Sequence, residues 1–138
     1  MITRLSHSTV YVLDQDIAHD FYVGTLGFTV GTDMSLSNGF RWLTVSPPKQ
    51  PDLNIVLMKV DDSEACPVNP RAAALLTEIL TTAGLGMGVF DCDDCRKTYE
   101  ELAAKGVKFR KEPSDEFYGI EAIFEDPFGN WFSLTQRK

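Results

Sequence analysis

The sequence is poor in residues that form disulfides or hold soft metals: its 138 residues include three cysteines and two histidines. An odd number of cysteines, with no basic segment followed by an apolar stretch at the start, predicts reduced thiols and a cytoplasmic protein. No run approaches the ~18–20 apolar residues that cross a bilayer, so we expect no membrane association. Positive charge is also scarce. The net charge of −7 would repel phosphate backbones, and we expect no nucleic-acid partner.

Two of the cysteines, Cys92 and Cys95, form a CxxC pattern, which in other proteins binds zinc or reacts with disulfides. A zinc site would need two further soft ligands, and Cys66, His7 and His19 are the only other candidates in the chain. The two aspartates inside the pattern disfavour a reactive thiolate. We therefore predict a plain strand-to-helix turn here, and a surface position without a role for His19.

The two parts of the chain repeat the same order of elements. Residues 5–14 align with residues 85–94 at an offset of 80, and each stretch has the pattern of a strand that ends in an acidic turn. A helical pattern follows in both, and it ends near Gly27 and Gly106, which suit the left-handed conformation that closes a helix. The repeat predicts two similar modules.

The offset of 80 returns where residues 39–47 align with residues 119–127, both strands that run into a proline turn. Final strands follow at residues 54–59 and 131–136. Each half therefore has the order βαβββ, which predicts an α+β fold. Strands this short cannot bury an apolar face alone, so we expect two curved mixed sheets that share a core around a concave pocket.

We expect a single domain over residues 1–138, with half one at residues 1–60 and half two at residues 85–138. The stretch between them, residues 61–84, begins with a polar, proline-containing segment. It continues in an Ala/Leu/Thr-rich segment, residues 71–83, that predicts a connecting helix.

This arrangement, with Leu-Ser-His at residues 5–7 and Asp-Pro-Phe-Gly-Asn at residues 126–130, resembles the glyoxalase, bleomycin-resistance and extradiol-dioxygenase superfamily. Its members are also called vicinal oxygen chelate (VOC) proteins. The Asp-Pro-x-Gly-Asn segment is a tight turn between the last two strands, since Pro127 presets φ and Gly129 or Asn130 tolerates positive φ. The resemblance also implies a homodimer.

Metal-dependent members of the family hold a divalent ion with one side chain from the first and one from the last strand of each half. The matching positions here are His7, Val56, Met87 and Ser133. His7 is the only retained ligand, and valine and methionine are poor ligands for a hard ion. The resemblance therefore implies a protein with no metal cofactor. Asp91 and Glu121 stay open as oxygen ligands of an unconventional divalent-metal site.

Alternation along these strands also predicts which side chains line the pocket. The predicted ligand-binding residues are His7, Trp42, Asn54, Val56, Met87, Tyr118, Trp131 and Ser133. On the third strand of each half Trp42 is preferred to Arg41, and Tyr118 to Glu121. His7 is the candidate catalytic residue because its ordinary pKa lies near ~6.5.

Such a lining suits a partly aromatic molecule. We expect a metal-independent protein that binds a small, antibiotic-like or toxic aromatic compound. One alternative is a divalent-metal-dependent lyase, isomerase or ring-cleaving dioxygenase of the same superfamily, with an atypical site. Another is a sheet surface that serves protein association.

Overall fold

A computed structural model describes residues 1–138 and confirms the predicted α+β fold. The strands are β1 (His7–Val12), β2 (Thr29–Ser35), β3 (Arg41–Ser46), β4 (Asn54–Lys59), β5 (Gly86–Asp91), β6 (Lys108–Glu116), β7 (Gly119–Glu125) and β8 (Trp131–Arg137). The helices are α1 (Gln15–His19), which continues as a π-helix (Asp20–Thr25), α2 (Pro70–Thr82) and α3 (Cys95–Ala104). None of these helices is long and apolar enough to cross a bilayer.

The chain forms two compact units, Met1–Leu80 and Thr81–Lys138, and each contains one four-stranded mixed sheet. The first sheet has the strand order β1-β4-β3-β2 and the second β5-β8-β7-β6. In each, the first strand pairs parallel with the last, and the remaining pairs are antiparallel. The predicted βαβββ order is present in both units. The boundary between the units falls inside α2 rather than in the polar stretch before it.

In the first unit, alternation along the strands puts aliphatic side chains on the side of the sheet that the helix covers. The buried residues of this side are Val10, Val12, Leu43, Val45, Ile55 and Leu57. Tyr22, in the π-helix, is fully buried with them. Gln15 at the start of α1 ties the helix to the sheet, because its Nε2 donates to the backbone oxygens of Leu57 at 2.8 Å and Arg41 at 3.0 Å.

The helix-facing side of the second sheet is aromatic instead. Phe90 and Phe132 have ring centroids 4.9 Å apart, and Phe132 stacks on Phe124 at 5.5 Å. Tyr99 of α3 meets Phe109 of β6 edge-on at 4.6 Å, which joins the helix to the sheet. Aromatic pairs of this kind contribute about 0.5–1.5 kcal/mol beyond their burial.

Equivalent polar residues begin the two sheet-covering helices. Asp14 accepts from the backbone N–H of Ile17 at 2.9 Å, and Asp94 accepts from that of Lys97 at 3.0 Å. Both aspartates are N-caps in extended conformation, which satisfies an otherwise unpaired N–H of the first turn. The predicted closing glycines follow these helices with φ of +77° at Gly27 and +88° at Gly106.

Helix α2 forms where the Ala/Leu/Thr-rich segment predicts it. Ala73 and Leu80 on one side of the helix are buried in a cluster with Val60. Tyr11 and Cys66 pack against the same cluster. The segment is therefore part of the core of the first unit rather than a loose linker.

The Asp-Pro-Phe-Gly-Asn segment forms the expected turn before β8. Buried Asp126 accepts from the backbone N–H of Phe128 at 2.8 Å and of Asn130 at 3.0 Å, and also from the Asn130 side-chain amide at 3.0 Å. Gly129 has φ of +81°, so it rather than Asn130 adopts the positive φ. The turn is structural.

Candidate functional site

The side of the first sheet opposite the helix carries the predicted site residues of that unit. His7 lies directly opposite Asn54, and Thr9 lies opposite Val56, in the parallel β1–β4 register. Thr44 of β3 is the partner of Val56, so Trp42, two residues away, faces the same way. We call the side formed by His7, Trp42, Thr44, Asn54 and Val56 the His7 face.

Aromatic contacts extend across the His7 face. The His7 and Trp42 rings have centroids 6.0 Å apart at an angle of 43°, and the Phe40 and Trp42 centroids are 6.4 Å apart. His7 is exposed, and its Nδ1 is 2.9 Å from the Ser6 hydroxyl. This part of the face offers flat aromatic area with one accessible imidazole.

The polar groups of the His7 face are held by a close approach of the backbone at Gly31. The Thr44 hydroxyl accepts from the Thr32 N–H at 3.0 Å and donates to Asn54 Oδ1 at 3.2 Å. A Cβ at Gly31 would meet Asn54 Oδ1 and Thr44 Oγ1, so a larger residue there would push both side chains aside. Gly31 lies at the register shift in β2. The bulge thus fixes the orientation of Asn54.

The second sheet has a corresponding side, again opposite its helix. Val89 pairs with Ser133, and Ile123 of β7 is the partner of Ser133 on its other edge. We call the side formed by Val89, Glu121, Ile123, Trp131 and Ser133 the Glu121 face. The predicted ligand-binding residue Met87 is half-buried at the start of this face, at the register shift between Gly86 and Gly88.

Trp131, also a predicted ligand-binding residue, is held by its neighbours. A Cβ at Gly86 would lie 2.5 Å from the indole ring, so the glycine provides the space in which the ring lies. The guanidinium of Arg110 lies 5.8 Å from the ring centroid, within cation–π distance. Arg110 is itself fixed by Glu125 at 2.7 Å and by the backbone oxygen of Gly129 at 3.0 Å.

The densest group of polar side chains in either unit surrounds Glu121. Lys111 Nζ donates to Glu121 Oε1 at 2.9 Å and to Glu116 Oε1 at 2.8 Å. Ser133 donates to Glu121 Oε2 at 2.5 Å, and Ser114 donates to Glu116 Oε1 at 3.0 Å. We call these residues, Lys111, Ser114, Glu116, Glu121 and Ser133, the Glu121 cluster.

The contacts of the cluster shift the ionisation of its members. The Ser133 hydroxyl is the main cause that lowers the pKa of Glu121, with further lowering by Lys111 and Tyr118. The Lys111 ammonium lowers the pKa of Glu116, and the two carboxylates raise the pKa of Lys111 beyond its usual range. At neutral pH the cluster therefore holds one cation and two anions.

The sequence alone did not indicate this cluster. Two register shifts in β6, on either side of Lys111, bring Lys111 opposite Ile123 and Ser114 opposite Glu121. A strand that reads Lys-Phe-Arg-Lys-Glu-Pro-Ser-Asp-Glu gives no regular alternation from which these partners could be found. Its proline, which is confined to edge strands or bulges, was the one available signal.

Of the two aromatic residues predicted on β3 and β7, Trp42 lies on its strand and Tyr118 does not. Tyr118 does not lie on a strand but in the turn between β6 and β7, because Gly119, with φ of +147°, begins β7 one residue later. The tyrosine still reaches Glu121, whose carboxylate raises the pKa of Tyr118. Arg41 is bound to Asp33 at 2.8 Å and Asp16 at 2.7 Å, which leaves Trp42 on the His7 face.

The CxxC segment forms the predicted strand-to-helix turn, and its thiols are poorly ionised. Burial, more than the neighbouring charges, raises the pKa of Cys92 to about 12 and also raises the pKa of Cys95. The Cys95 thiol donates to the backbone oxygen of Leu134 at 3.5 Å. A thiolate nucleophile is therefore disfavoured here.

Two depressions lie in the first unit, away from the predicted site residues. A cavity of about 50 Å³ is lined by Gln15, Phe40, Arg41, Lys59, Asp61 and Cys66, among others. It is far below the ~300 Å³ of a typical ligand pocket. A larger depression of about 360 Å³ is lined by residues 61–70, the loop before α2 and the first residue of that helix.

A sequence profile of the Glyoxalase/Bleomycin resistance protein/Dioxygenase superfamily matches residues 4–134. The chain belongs to this superfamily. This confirms the resemblance drawn from the Leu-Ser-His and Asp-Pro-Phe-Gly-Asn segments, and the two four-stranded sheets are those of a VOC fold.

Several known proteins are similar to this chain over nearly its whole length. The crystal structure of UcmS2 is 42% identical, with a TM-score of 0.88 and 98% of each chain covered. That of TnmS3, an antibiotic binding protein from Streptomyces sp. CB03234, is 30% identical, with a TM-score of 0.74, covering 99% of this chain and 98% of its own. YurT of Bacillus subtilis (strain 168), an uncharacterized protein, is 31% identical over 130 residues, 94% of this chain and 96% of its own.

The residues present do not fit the divalent ion that many VOC proteins hold. Val56 has no ligand atom, and the Ser133 hydroxyl is already bound to Glu121. Both oxygens of Glu121 accept hydrogen bonds, one of them from the Lys111 ammonium, which would repel a cation. No group of three or more His, Cys, Asp or Glu side chains converges at one place.

Proposed function

We propose that this VOC protein binds an aromatic, antibiotic-like small molecule and does so without a metal. The His7 face supplies aromatic area, with the Trp42 ring near those of both His7 and Phe40. Asn54, fixed by Thr44, supplies an oriented amide beside it. Binding sites for such ligands combine apolar and aromatic area with a few oriented polar groups.

The metal-free part of the proposal rests on the hydrogen bonds that the Glu121 carboxylate already accepts from the chain. Lys111 donates to one carboxylate oxygen and Ser133 to the other, so the charge of the carboxylate is balanced by the chain itself. A divalent ion bound by Glu121 would lie beside the Lys111 ammonium, which would repel it. An organic ligand can contact the cluster as it stands.

The similarity to TnmS3 supports the ligand class. That protein is described as antibiotic binding, and it matches this chain at 30% identity over nearly the full length of both. From that description we take the ligand of this chain to be antibiotic-like, and from the rings of the His7 face we take it to be aromatic. Within this proposal the ligand-binding residues stay those predicted from the sequence, with His7 as a hydrogen-bonding group to the ligand rather than a metal ligand.

We also propose a cytoplasmic homodimer. The three cysteines are free thiols, as expected in a reducing compartment. Each sheet is open, with β1 and β2 or β5 and β6 as edge strands, and open edges favour association with a further chain. A monomeric mass by light scattering at micromolar concentration would refute the dimer.

Thermal shift and tryptophan fluorescence, measured with a panel of aromatic antibiotics, test the proposed binding. We expect at least one compound to raise the melting temperature and quench fluorescence. Trp42→Ala should lower the affinity for that compound by about tenfold or more, because a stacked aromatic side chain contributes both burial and ring contact. Tyr99→Phe, on the helix side of the second sheet, is the matched control and should leave the affinity unchanged.

The same samples are then offered Mg²⁺, Mn²⁺, Fe²⁺, Ni²⁺ and Zn²⁺ in turn, with and without the compound. We expect none of these ions to bind at one per chain. One tightly held ion per chain that is lost in His7→Ala would contradict the metal-free proposal. It would favour the alternative of a metal-dependent lyase, isomerase or dioxygenase with an atypical site.

A further inference from the structure

The Glu121 cluster has more hydrogen-bond acceptors than donors. Each ionised carboxylate offers about four lone-pair positions. Lys111 donates two of its three N–H groups, and Ser114 and Ser133 donate once each to the two glutamates. About four of the eight acceptor positions, and one N–H of Lys111, therefore stay open.

The open acceptors are accessible. All the hydrogen bonds to Glu116 reach its Oε1, so Oε2 is the atom left for a further donor. The side chain of Glu116 is 34% exposed and that of Lys111 is 32% exposed, whereas Glu121 beneath them is 17% exposed. Solvent, or a ligand, therefore meets Glu116 and Lys111 first.

The surroundings of the cluster are apolar on the same side of the sheet. Ile123 and Val89 flank Ser133 on the two neighbouring strands, and Val89 is 60% exposed. Tyr118 reaches the cluster from the β6–β7 turn with Phe117 beside it, their ring centroids 5.0 Å apart. A ligand ring that lies on this area can place one substituent at the carboxylates.

The charge of the cluster limits what that substituent can be. Lys111, Glu116 and Glu121 carry a net charge of −1 when all three are ionised. A carboxylate on the ligand would face two glutamates, and like charges at this distance repel. A hydroxyl or ammonium would instead donate to an open carboxylate oxygen.

We infer that the Glu121 cluster selects aromatic ligands that carry a hydrogen-bond donor, a hydroxyl or an ammonium, and rejects carboxylates. This inference rests on the proposed function, since it takes the ligand to be aromatic and names the substituent that the second unit selects. It assigns Glu116 and Glu121 as specificity-determining residues and Lys111 as the residue that positions both carboxylates.

Isothermal titration of the full chain with four naphthalene probes tests the inference. The probes share one ring system and differ in a single substituent: 2-naphthol, 2-naphthylmethylammonium, 2-methoxynaphthalene and 2-naphthoate. We expect the naphthol and the ammonium compound to bind at least about tenfold tighter than the other two, because hydrogen bonds to charged groups are the strong ones. Added salt distinguishes the two donor probes. It should lower the affinity of the ammonium compound, whose charge is screened, and leave the affinity of the naphthol unchanged.

Glu116→Ala should reduce the preference for 2-naphthol over 2-methoxynaphthalene to about threefold or less, since it removes the accessible acceptor. Glu112→Ala is the matched control, a glutamate of the same strand that contacts Tyr99 outside the cluster. Equal affinities of the wild-type protein for 2-naphthol and 2-methoxynaphthalene would overturn the inference and leave the proposed function standing. Tight binding of 2-naphthoate would overturn it as well. If no probe and no antibiotic binds, the proposed function itself is wrong.

Discussion

The two units have the same strand order and different surfaces. In both, the first strand pairs parallel with the fourth, and the helix that follows the first strand packs on one side of the sheet. The other side of the first sheet, where Tyr11 packs against the α2 cluster, carries rings and neutral polar groups around Trp42 and Asn54. That of the second carries an ion-pair network around Glu121. The strand order therefore leaves the chemistry of the exposed side free to differ.

The cores differ as well. The helix-facing side of the first sheet is aliphatic, whereas the second is built on stacked phenylalanines such as Phe124 and Phe132. Both fill the space between a sheet and a helix, since cores tolerate different apolar residues when volume and patterning are kept. The parts that recur are the N-cap aspartates and the helix-closing glycines, where backbone geometry allows fewer substitutes.

Among alanine substitutions of glycines with positive φ, we expect the largest loss of stability at Gly84 of the second unit. Gly84 has φ of +71°, and a Cβ there would lie 1.7 Å from the backbone oxygen of Gly129. We expect Gly84→Ala to lower the free energy of unfolding by about 3 kcal/mol, from strain and from displaced backbone together. Chemical denaturation measures this.

The controls for this substitution are the helix-closing glycines of the two units. Gly27 and Gly106 have positive φ but no atom within 4 Å of an added Cβ. Alanine at either should cost about 1–2 kcal/mol, the conformational term alone. A Gly84→Ala variant no less stable than Gly106→Ala would show that the approach to Gly129 is relieved at little cost.

The charge networks should differ in how stability depends on pH. The pKa of Glu121 is lowered in the folded protein, so its carboxylate stabilises the fold above the unfolded pKa of about 4.3. That contribution is lost as pH falls through the lowered folded pKa. We expect Glu121→Gln to cost about 2 kcal/mol at neutral pH and to flatten the loss of stability below pH ~4.

Asp33 of the first unit is the comparison. Its pKa is also lowered, mainly by the hydrogen bond from Arg41, but its side chain is 35% exposed. Solvent screening should limit Asp33→Asn to less than about 1 kcal/mol with a smaller change in slope. Chemical denaturation of both variants at a series of pH values measures the two changes in slope. An Asp33→Asn variant with the larger change in slope would reverse the proposed ranking of the two networks.

The helix caps should have small effects of similar size in the two units. Asp14→Ala and Asp94→Ala each remove one hydrogen bond to a first-turn N–H, at 2.9 Å and 3.0 Å. We expect each to cost about 1 kcal/mol. Asp14→Asn and Asp94→Asn, which retain a capping oxygen, should recover most of that loss. Unequal losses at the two caps would show that the π-helical continuation of α1 changes what its cap contributes.

The fold was predictable because it depends on local rules. Alternating apolar residues, capping aspartates and closing glycines act over a few residues, and the repeat at an offset of 80 made the same order visible twice. Register allowed His7 and Asn54 to be assigned to the same side, since side chains alternate with period two. Tyr118 shows the limit of this reasoning, because its assignment to a strand failed by one residue at the β6–β7 turn.

The sequence by itself therefore determined the superfamily, the βαβββ order and the residues of each strand that share a side. Only the tertiary structure decided the partners of Glu121. Two register shifts in β6 bring Lys111 and Ser114 to the carboxylates of the cluster, and no local pattern specifies where a strand bulges. The physical reason is that the alternation of side chains along a strand depends on residues close in sequence. The partners of a charged side chain depend on how strands that are distant in sequence pair.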